Sequence, residues 1–330
     1  MLRLRRSMMS GLSESVQGRI LEWYDAEARE LPWRNNPYPW PVLVSEFVLQ
    51  QTQMAVGLTH WHRMMERFPT IESMASCPVE DVLEAWQGCG YYARARNLHA
   101  LAVEIASRNP PCLPSNPQDL QDLPGIGPYT AAAVSSIAFD YPIAAVDGNI
   151  RRIYARTLAE EYPKDRDIQA WADESLYRSR PGDWNQALME LGALICKPIN
   201  PNCKKCPLSK KCKSFKNNDF DLVKSIKKDK ETFYKLNVYK KNNQYLLIKN
   251  NKFNFLKNFN IFPMEKLNNP KNFDKDLNLK MSNMIMNIKI EYKNKYNLKK
   301  KSYWIDPSKL QNYTLPTFTK KIVKFLESHK

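Results

Sequence analysis

The chain of 330 residues is poor in several things, and each shortage narrows what it can be. No apolar run reaches the roughly 18 residues of a membrane span, so no transmembrane helix is expected. The basic stretch Met1–Arg6 is followed by no apolar h-region, which argues against a secretory signal. Met8 or Met9 offers an alternative start that would leave this Arg-rich leader out. No internal repeat is visible, which sets aside solenoids and propellers. No arginine follows Arg180, and no histidine lies between His99 and His329, so recognition in the second half of the chain must rely on other side chains.

What is present allows two domains of ordinary size, and 43% hydrophobic residues supply real cores. The formal charge is +16 and the sequence pI about 9.4. Such an excess suits a polyanionic partner, most often nucleic acid, although a lysine-rich solvated surface carries the same charge. The excess sits almost wholly after residue 213, where lysine and asparagine dominate. Both have A/T-rich codons, and drift in base composition is favoured over a designed DNA-binding tail.

Helical periodicity runs through Val16–Ala28, Val42–Phe68, Val79–Trp86, Ala93–Ser107, Thr130–Ala138, Ile150–Leu158 and Trp184–Ile195. Pro110-Pro111, Pro114, Pro124-Gly125 and Pro181-Gly182 break it. An all-α domain is therefore expected over residues 1–213 and a linker over 214–231. A small α+β domain is expected over 232–330, with strands at Phe233–Tyr239, Gln244–Ile248, Met286–Tyr292 and Tyr303–Ile305 and a closing helix at Phe318–Glu327.

Cys196, Cys203, Cys206 and Cys212 are spaced Cys-x6-Cys-x2-Cys-x5-Cys. Four soft thiolates in one loop can enclose either zinc or an iron–sulfur cluster, and the chemistry alone does not choose. Cys77, Cys89 and Cys112 fit no ligand pattern. Leu123-Pro124-Gly125-Ile126-Gly127 separates two helical segments; its glycines permit a tight hairpin whose N–H groups could reach a phosphate, although a plain helix–helix turn has the same composition. Some twenty residues on, Asp147 opens a helix, where an N-cap role needs no function.

Together, in this order, these motifs resemble the endonuclease III and MutY family of DNA glycosylases, from about Val16 to Cys212. The resemblance implies a helix-hairpin-helix glycosylase domain and one structural [4Fe–4S] cluster on Cys196, Cys203, Cys206 and Cys212. Gly125 and Gly127 would meet the DNA backbone. Asp147 would stabilise an oxocarbenium-like sugar, with Asn149 holding local geometry. Val44-Ser45-Glu46-Phe47-Val48-Leu49-Gln50-Gln51-Thr52-Gln53 looks like the adenine-specific signature. It implies Glu46 as the general acid at adenine N7, a task that needs burial, by neighbours such as Leu49, to raise its pKa. A glutamate reaching solvent from a polar face is the plain alternative. Tyr129 stands where bifunctional relatives carry a lysine; a tyrosine forms no Schiff base, so a monofunctional hydrolase of N-glycosyl bonds is implied. Gly88–Leu98 is similar to the family's segment opposite the flipped base, with Tyr91 and Gln50 matching the residues that enter the stack. Arg94 and Arg96 are expected to contact phosphate or brace this loop. Trp33, Arg34, Leu49, Gln51 and Gln186 match the adenine pocket.

Such proteins carry a Nudix-like C-terminal domain that recognises 8-oxoguanine opposite the adenine. Here the loop that should bear Phe-Ser-His reads Met281-Ser282-Asn283-Met284-Ile285-Met286-Asn287, so lesion reading would fall to Ser282 and Asn283 or be lost. The low glycine content argues against a retained nucleotide-hydrolase loop. The expected protein is an adenine DNA glycosylase of base excision repair. It acts as a monomer on double-stranded DNA containing A:8-oxoguanine or A:G mismatches, with no membrane; in a bacterium it would be cytoplasmic and nucleoid-associated. The rivals are a glycosylase for thymine mismatches or oxidised pyrimidines, and a non-catalytic DNA-binding homologue.

Overall fold

A computed structural model of the chain describes residues 11–35, 37–220, 230–253, 255–257, 259–268, 270, 272–281, 284–295, 302–313 and 315–329. The chain divides into two compact units, one of Met1–Val82 with Ala93–Ser225, the other of Leu83–Tyr92 with Ile226–Lys330. Of the expected linker, 214–217 lie in a short helix whose Ser214 is buried, and 221–229 fall outside the described residues.

The first unit is helical. In chain order it holds α1 (Glu14–Glu27), α2 (Pro32–Asn35), α3 (Pro39–Leu49), α4 (Met54–Arg67) and α5 (Ile71–Ala75). Then α6 (Val79–Ala85) runs into the second unit's short segment, and α7 (Ala93–Ala106), α8 (Pro117–Gln121), α9 (Pro128–Phe139), α10 (Gly148–Leu158), α11 (Asp165–Glu174), α12 (Pro181–Glu190) and α13 (Lys213–Asn217) follow. Local chemistry fixes many starts. Pro39, Pro117, Pro128 and Pro181 occupy first-turn positions, where a missing N–H costs nothing. Thr70 and Ser73 form a reciprocal capping box. The helical run expected over Val42–Phe68 is two helices. Its apolar period continues across the break, but Gln51 takes a left-handed φ of 56° and Gln53 restarts the ladder at Gly57. Helix α11 is not among the expected segments, because only Ile168, Trp171 and Ala172 mark its buried stripe among charged residues. Ile20, Tyr154, Trp171, Trp184 and Leu188 meet in the core behind the site.

The second unit pairs β1 (Lys230–Val238), β2 (Lys240–Lys241), β3 (Gln244–Lys249), β4 (Asn260–Ile261), β5 (Met264–Leu267), β6 (Leu277–Met281), β7 (Met284–Tyr292) and β8 (Ser302–Ile305), and closes with α14 (Thr317–Ser328). One sheet has the order β5-β1-β7-β6, with β1 and β7 parallel; the other is β2-β3-β4, with β8 on β3. Thr232, Tyr234, Leu236 and Val238 alternate inward along β1, as a half-buried strand requires. Phe318, Ile322, Val323 and Leu326 of α14 complete this core. Among the described residues no helix is long and apolar enough to cross a membrane.

Candidate active site and cysteine loop

Helix α3 is apolar nearly all round, and Glu46 is its single ionisable side chain. A helix of that composition is buried on every face, and Glu46 goes in with it, 9% exposed. It borders a cavity of about 370 Å³ that is also lined by Trp33, Arg34, Leu49, Gln50, Gln51, Tyr129, Asp147, Asn149 and Gln186. Sequence positions 33 to 186 thus converge on one space. Burial pushes the Glu46 carboxyl up to about 7; the Tyr129 hydroxyl donates to it and holds it back, while the charge of Asp147 lifts it further. Burial also raises the Tyr129 phenol well above its usual range. The Tyr129 hydroxyl lies 3.8 Å from the Met189 sulfur.

Asp147 is the N-cap of α10 and faces the same cavity. Its Oδ1 accepts from the Ile150 N–H at 2.8 Å and its Oδ2 from Asn149 Nδ2 at 2.7 Å. Burial raises this carboxyl, and those donors, with Arg152 beyond them, oppose the rise. Arg152 Nη2 donates to Asn149 Oδ1 (2.7 Å) and to the Gly192 carbonyl (2.9 Å), and its Nε donates to the Cys196 carbonyl (2.7 Å). An unbroken chain of hydrogen bonds therefore joins Asp147 to the first cysteine. It passes a π-helical turn, Leu191–Ile195, in which a side chain at Gly192 would meet Asn149 Cβ at 2.4 Å.

The cavity's other wall is a charge network. Glu190, 1% exposed, takes a bidentate pair from Arg29 (2.8 and 2.9 Å) and a 2.7 Å bond from Arg34 Nη2. Arg34 Nε donates to Gln186 Oε1 at 2.9 Å. Arg29, Glu190 and Arg152 belong to no motif that the sequence displays. Spacing was the available signal: Glu190 follows Gln186 by four residues and Arg152 follows Asn149 by three, each on one helix face. Leu49 owes its place to Gly57, where a Cβ would stand 2.5 Å from Leu49 Cδ2.

At the hairpin, Gly125 has φ +81°, and a Cβ there would lie 2.6 Å from that of Asn97. Gly127 caps α9 with its neighbourhood open. Gln50 donates to Thr130 Oγ1 at 3.3 Å. Tyr91 is 45% exposed, holds a left-handed φ of 46° and groups with the second unit. Arg94 is not placed for phosphate contact: it is 8% exposed and its Nη1 donates to main-chain carbonyls of α3. Arg96 is partly buried, and desolvation lowers its pKa.

Cys196, Cys203, Cys206 and Cys212 border one small cavity with Arg156, Leu208, Phe215 and Phe220. Arg156, 3% exposed, donates to Cys196 Sγ (3.4 Å) and to the carbonyls of Lys197 (2.7 Å) and Pro198 (2.9 Å). Burial pushes the Cys206 thiol up to about 12 and lifts Cys203 and Cys212. Among the described residues no group of three or more ligating side chains is arranged to hold a single ion. Ser282 and Asn283 lie outside the described residues.

A family model described as "HhH-GPD superfamily base excision DNA repair protein" matches residues 44–175, a span that contains Glu46, the hairpin and Asp147 and stops before the loop of Cys196 to Cys212. The adenine DNA glycosylase of Buchnera aphidicola subsp. Schizaphis graminum is 31% identical, over 93% of this chain and 97% of that protein. That of Mus musculus is 38% identical, over 61% of this chain and 42% of that protein. The chain thus spans about two-fifths of the length of the mammalian relatives it matches. Among solved structures, a thermostable thymine-DNA glycosylase is 27% identical with a TM-score of 0.56, over 61% of this chain and 95% of that one. An endonuclease III trapped on DNA, 22% identical with a TM-score of 0.54 over 62% and 95%, shares the fold.

Proposed function

The chain belongs to the adenine DNA glycosylase family, and on that premise we propose that it hydrolyses the N-glycosidic bond of adenine mispaired with 8-oxoguanine or guanine in duplex DNA. The observation that carries this reading is the buried Glu46, its carboxyl raised to about 7, bordering the same cavity as Asp147.

Adenine leaves poorly as an anion. Glu46, protonated near neutral pH because it is desolvated, delivers its proton to N7 of the extruded base. As the bond opens, positive charge grows on the sugar, and ionised Asp147 stabilises it. The N–H of Ile150 and the amide of Asn149 keep that carboxylate oriented. Water activated on the Glu46 side completes hydrolysis. Tyr129 offers no amine, so no covalent sugar intermediate forms on it. Gln186 has its carbonyl oxygen engaged by Arg34, which leaves its NH2 group as the donor for the base edge. Trp33 and Leu49 supply apolar contact. Gln50 and Tyr91 enter the stack as the base leaves it, and the backbone at Gly125 and Gly127 meets phosphate.

The cysteine loop would hold one [4Fe–4S] cluster. Cys196, Cys203, Cys206 and Cys212 line one small cavity, and four soft thiolates are the ligand set that such a cluster takes. Bound there, it would cross-link the loop, and the exposed Lys204, Lys205, Lys210 and Lys211 would be available to the backbone of DNA. The second unit is a divergent Nudix-like domain; its mixed sheet with the parallel β1–β7 pair supports this. The protein acts as a monomer.

The likeness to a thymine-DNA glycosylase favours one rival substrate, a mismatched thymine. Duplexes carrying A:8-oxoguanine, G:T or thymine glycol, incubated with the protein and then treated with alkali, separate the two. Strand breakage at adenine is expected, and its absence would sink the proposal.

A further inference from the structure

Arg94 lies in the first turn of α7, where a cation opposes the helix dipole. Its side chain is turned instead onto the C-terminal end of α3, where carbonyls lack partners within their own helix and a cation is favoured. One nitrogen, Nη1, donates to the carbonyls of Phe47 (2.7 Å), Val48 (3.0 Å) and Gln50 (2.6 Å). The end so held has no glycine cap: Gln50 is the C-cap and Gln51 follows in the left-handed region. Thr52 Oγ1 shares the Gln50 carbonyl at 3.3 Å.

Two functional side chains depend on this turn. Glu46 immediately precedes the first of the three carbonyls, and Gln50 carries the last, with its own amide on Thr130. We propose that Arg94 is a positioning residue for base excision, fixing through one guanidinium both the helix end that carries Glu46 and the backbone that aims Gln50. This rests on the adenine-excision reading above. It assigns to Arg94 a role different from phosphate binding, and lysine is an imperfect substitute: its ammonium has donors for the same carbonyls, but it is strongly hydrated and sits on a flexible stem.

The test uses the full chain with Arg94→Lys and Arg94→Met, on a mismatch duplex and on one with 2-aminopurine in place of the adenine. Wild-type excision of adenine is measured first; if it is absent, the functional reading fails and not this inference. With wild type active, Arg94→Met should lower the single-turnover rate per folded molecule on the order of 100-fold, as misplacement of a catalytic group does. Duplex affinity and its salt slope should stay unchanged, and the fluorescence rise of the extruded 2-aminopurine should shrink. Arg94→Lys should fall between the two. An unchanged rate per folded molecule in both variants overturns the proposal. So does a loss of affinity with a flatter salt slope, which would mark a phosphate contact. Failure of both variants to fold where wild type folds also overturns it, because Arg94 would then serve the fold alone.

Discussion

Glu46 can give a proton to a leaving base only while it still holds one. Burial places that limit near pH 7, with Tyr129 and Asp147 as the groups that modulate it. Single-turnover excision should therefore decline as pH rises through about 7, approaching tenfold per unit beyond. It should also decline in acid, where Asp147, whose own pKa burial has raised, takes up a proton. A profile flat from pH 6 to 9 would remove Glu46 from the role. Glu46→Gln keeps the shape and withdraws the proton, so mismatch binding should persist while excision drops by at least ~100-fold; normal turnover would count against it equally. Glu46 and Asp147 were legible because each sits in a short local motif. Glu190 was not: it acts through Arg29, 161 positions away, and no local pattern announces such a pairing.

The π-helical turn Leu191–Ile195 works as an element. It brings Gly192 against Asn149 and leaves the Gly192 carbonyl for Arg152. Gly192→Ala would drive a methyl into Asn149 and tilt the amide that orients Asp147. A rate loss on the order of 10–100-fold is expected, with duplex affinity kept; single-turnover kinetics beside a binding isotherm would check it, and an unaffected rate would show the turn to be passive. The sequence showed the helix there, through its apolar period, but not the extra residue in the turn, because a π-turn shifts the register without changing composition. The same holds for α3 and α4: periodicity crosses Gln50–Gln53 unbroken, and only backbone conformation reveals two helices. The proline starts, the Asp147 cap and the Gly125 hairpin were readable because each depends on one residue type at one position. Strands β4 to β6 escape a sequence reading because they are short and need partners to define them.

For the whole molecule, the basic excess and the fold divide the chain at nearly the same place. If the lysine-rich composition of the second unit is drift, exchanging exposed Lys321 and Lys324 for Gln should leave the salt dependence of duplex binding unchanged. Exchanging Lys210 and Lys211 should reduce the slope by roughly 0.9 for each phosphate that is no longer neutralised. Equal effects at both pairs would contradict this. Removing residues 232–330 is a less clean test, since Tyr92 packs its ring on Phe259 at 4.4 Å and the deletion would strip the segment that carries Tyr91. The single carboxyl on α3 also has a meaning for the folding equilibrium. Its folded pKa lies above the unfolded one, so the native state holds that proton more tightly. Stability from this group is thus greatest in acid; it is lost as pH climbs from about 4.5 toward 7 and levels off about 3 kcal/mol lower. Glu46→Gln should therefore gain more in melting temperature over wild type at pH 8 than at pH 5, and an equal gain at both would point to packing instead. A carboxyl kept ready to hold its proton at neutral pH leaves the fold, to that extent, less stable there than in acid.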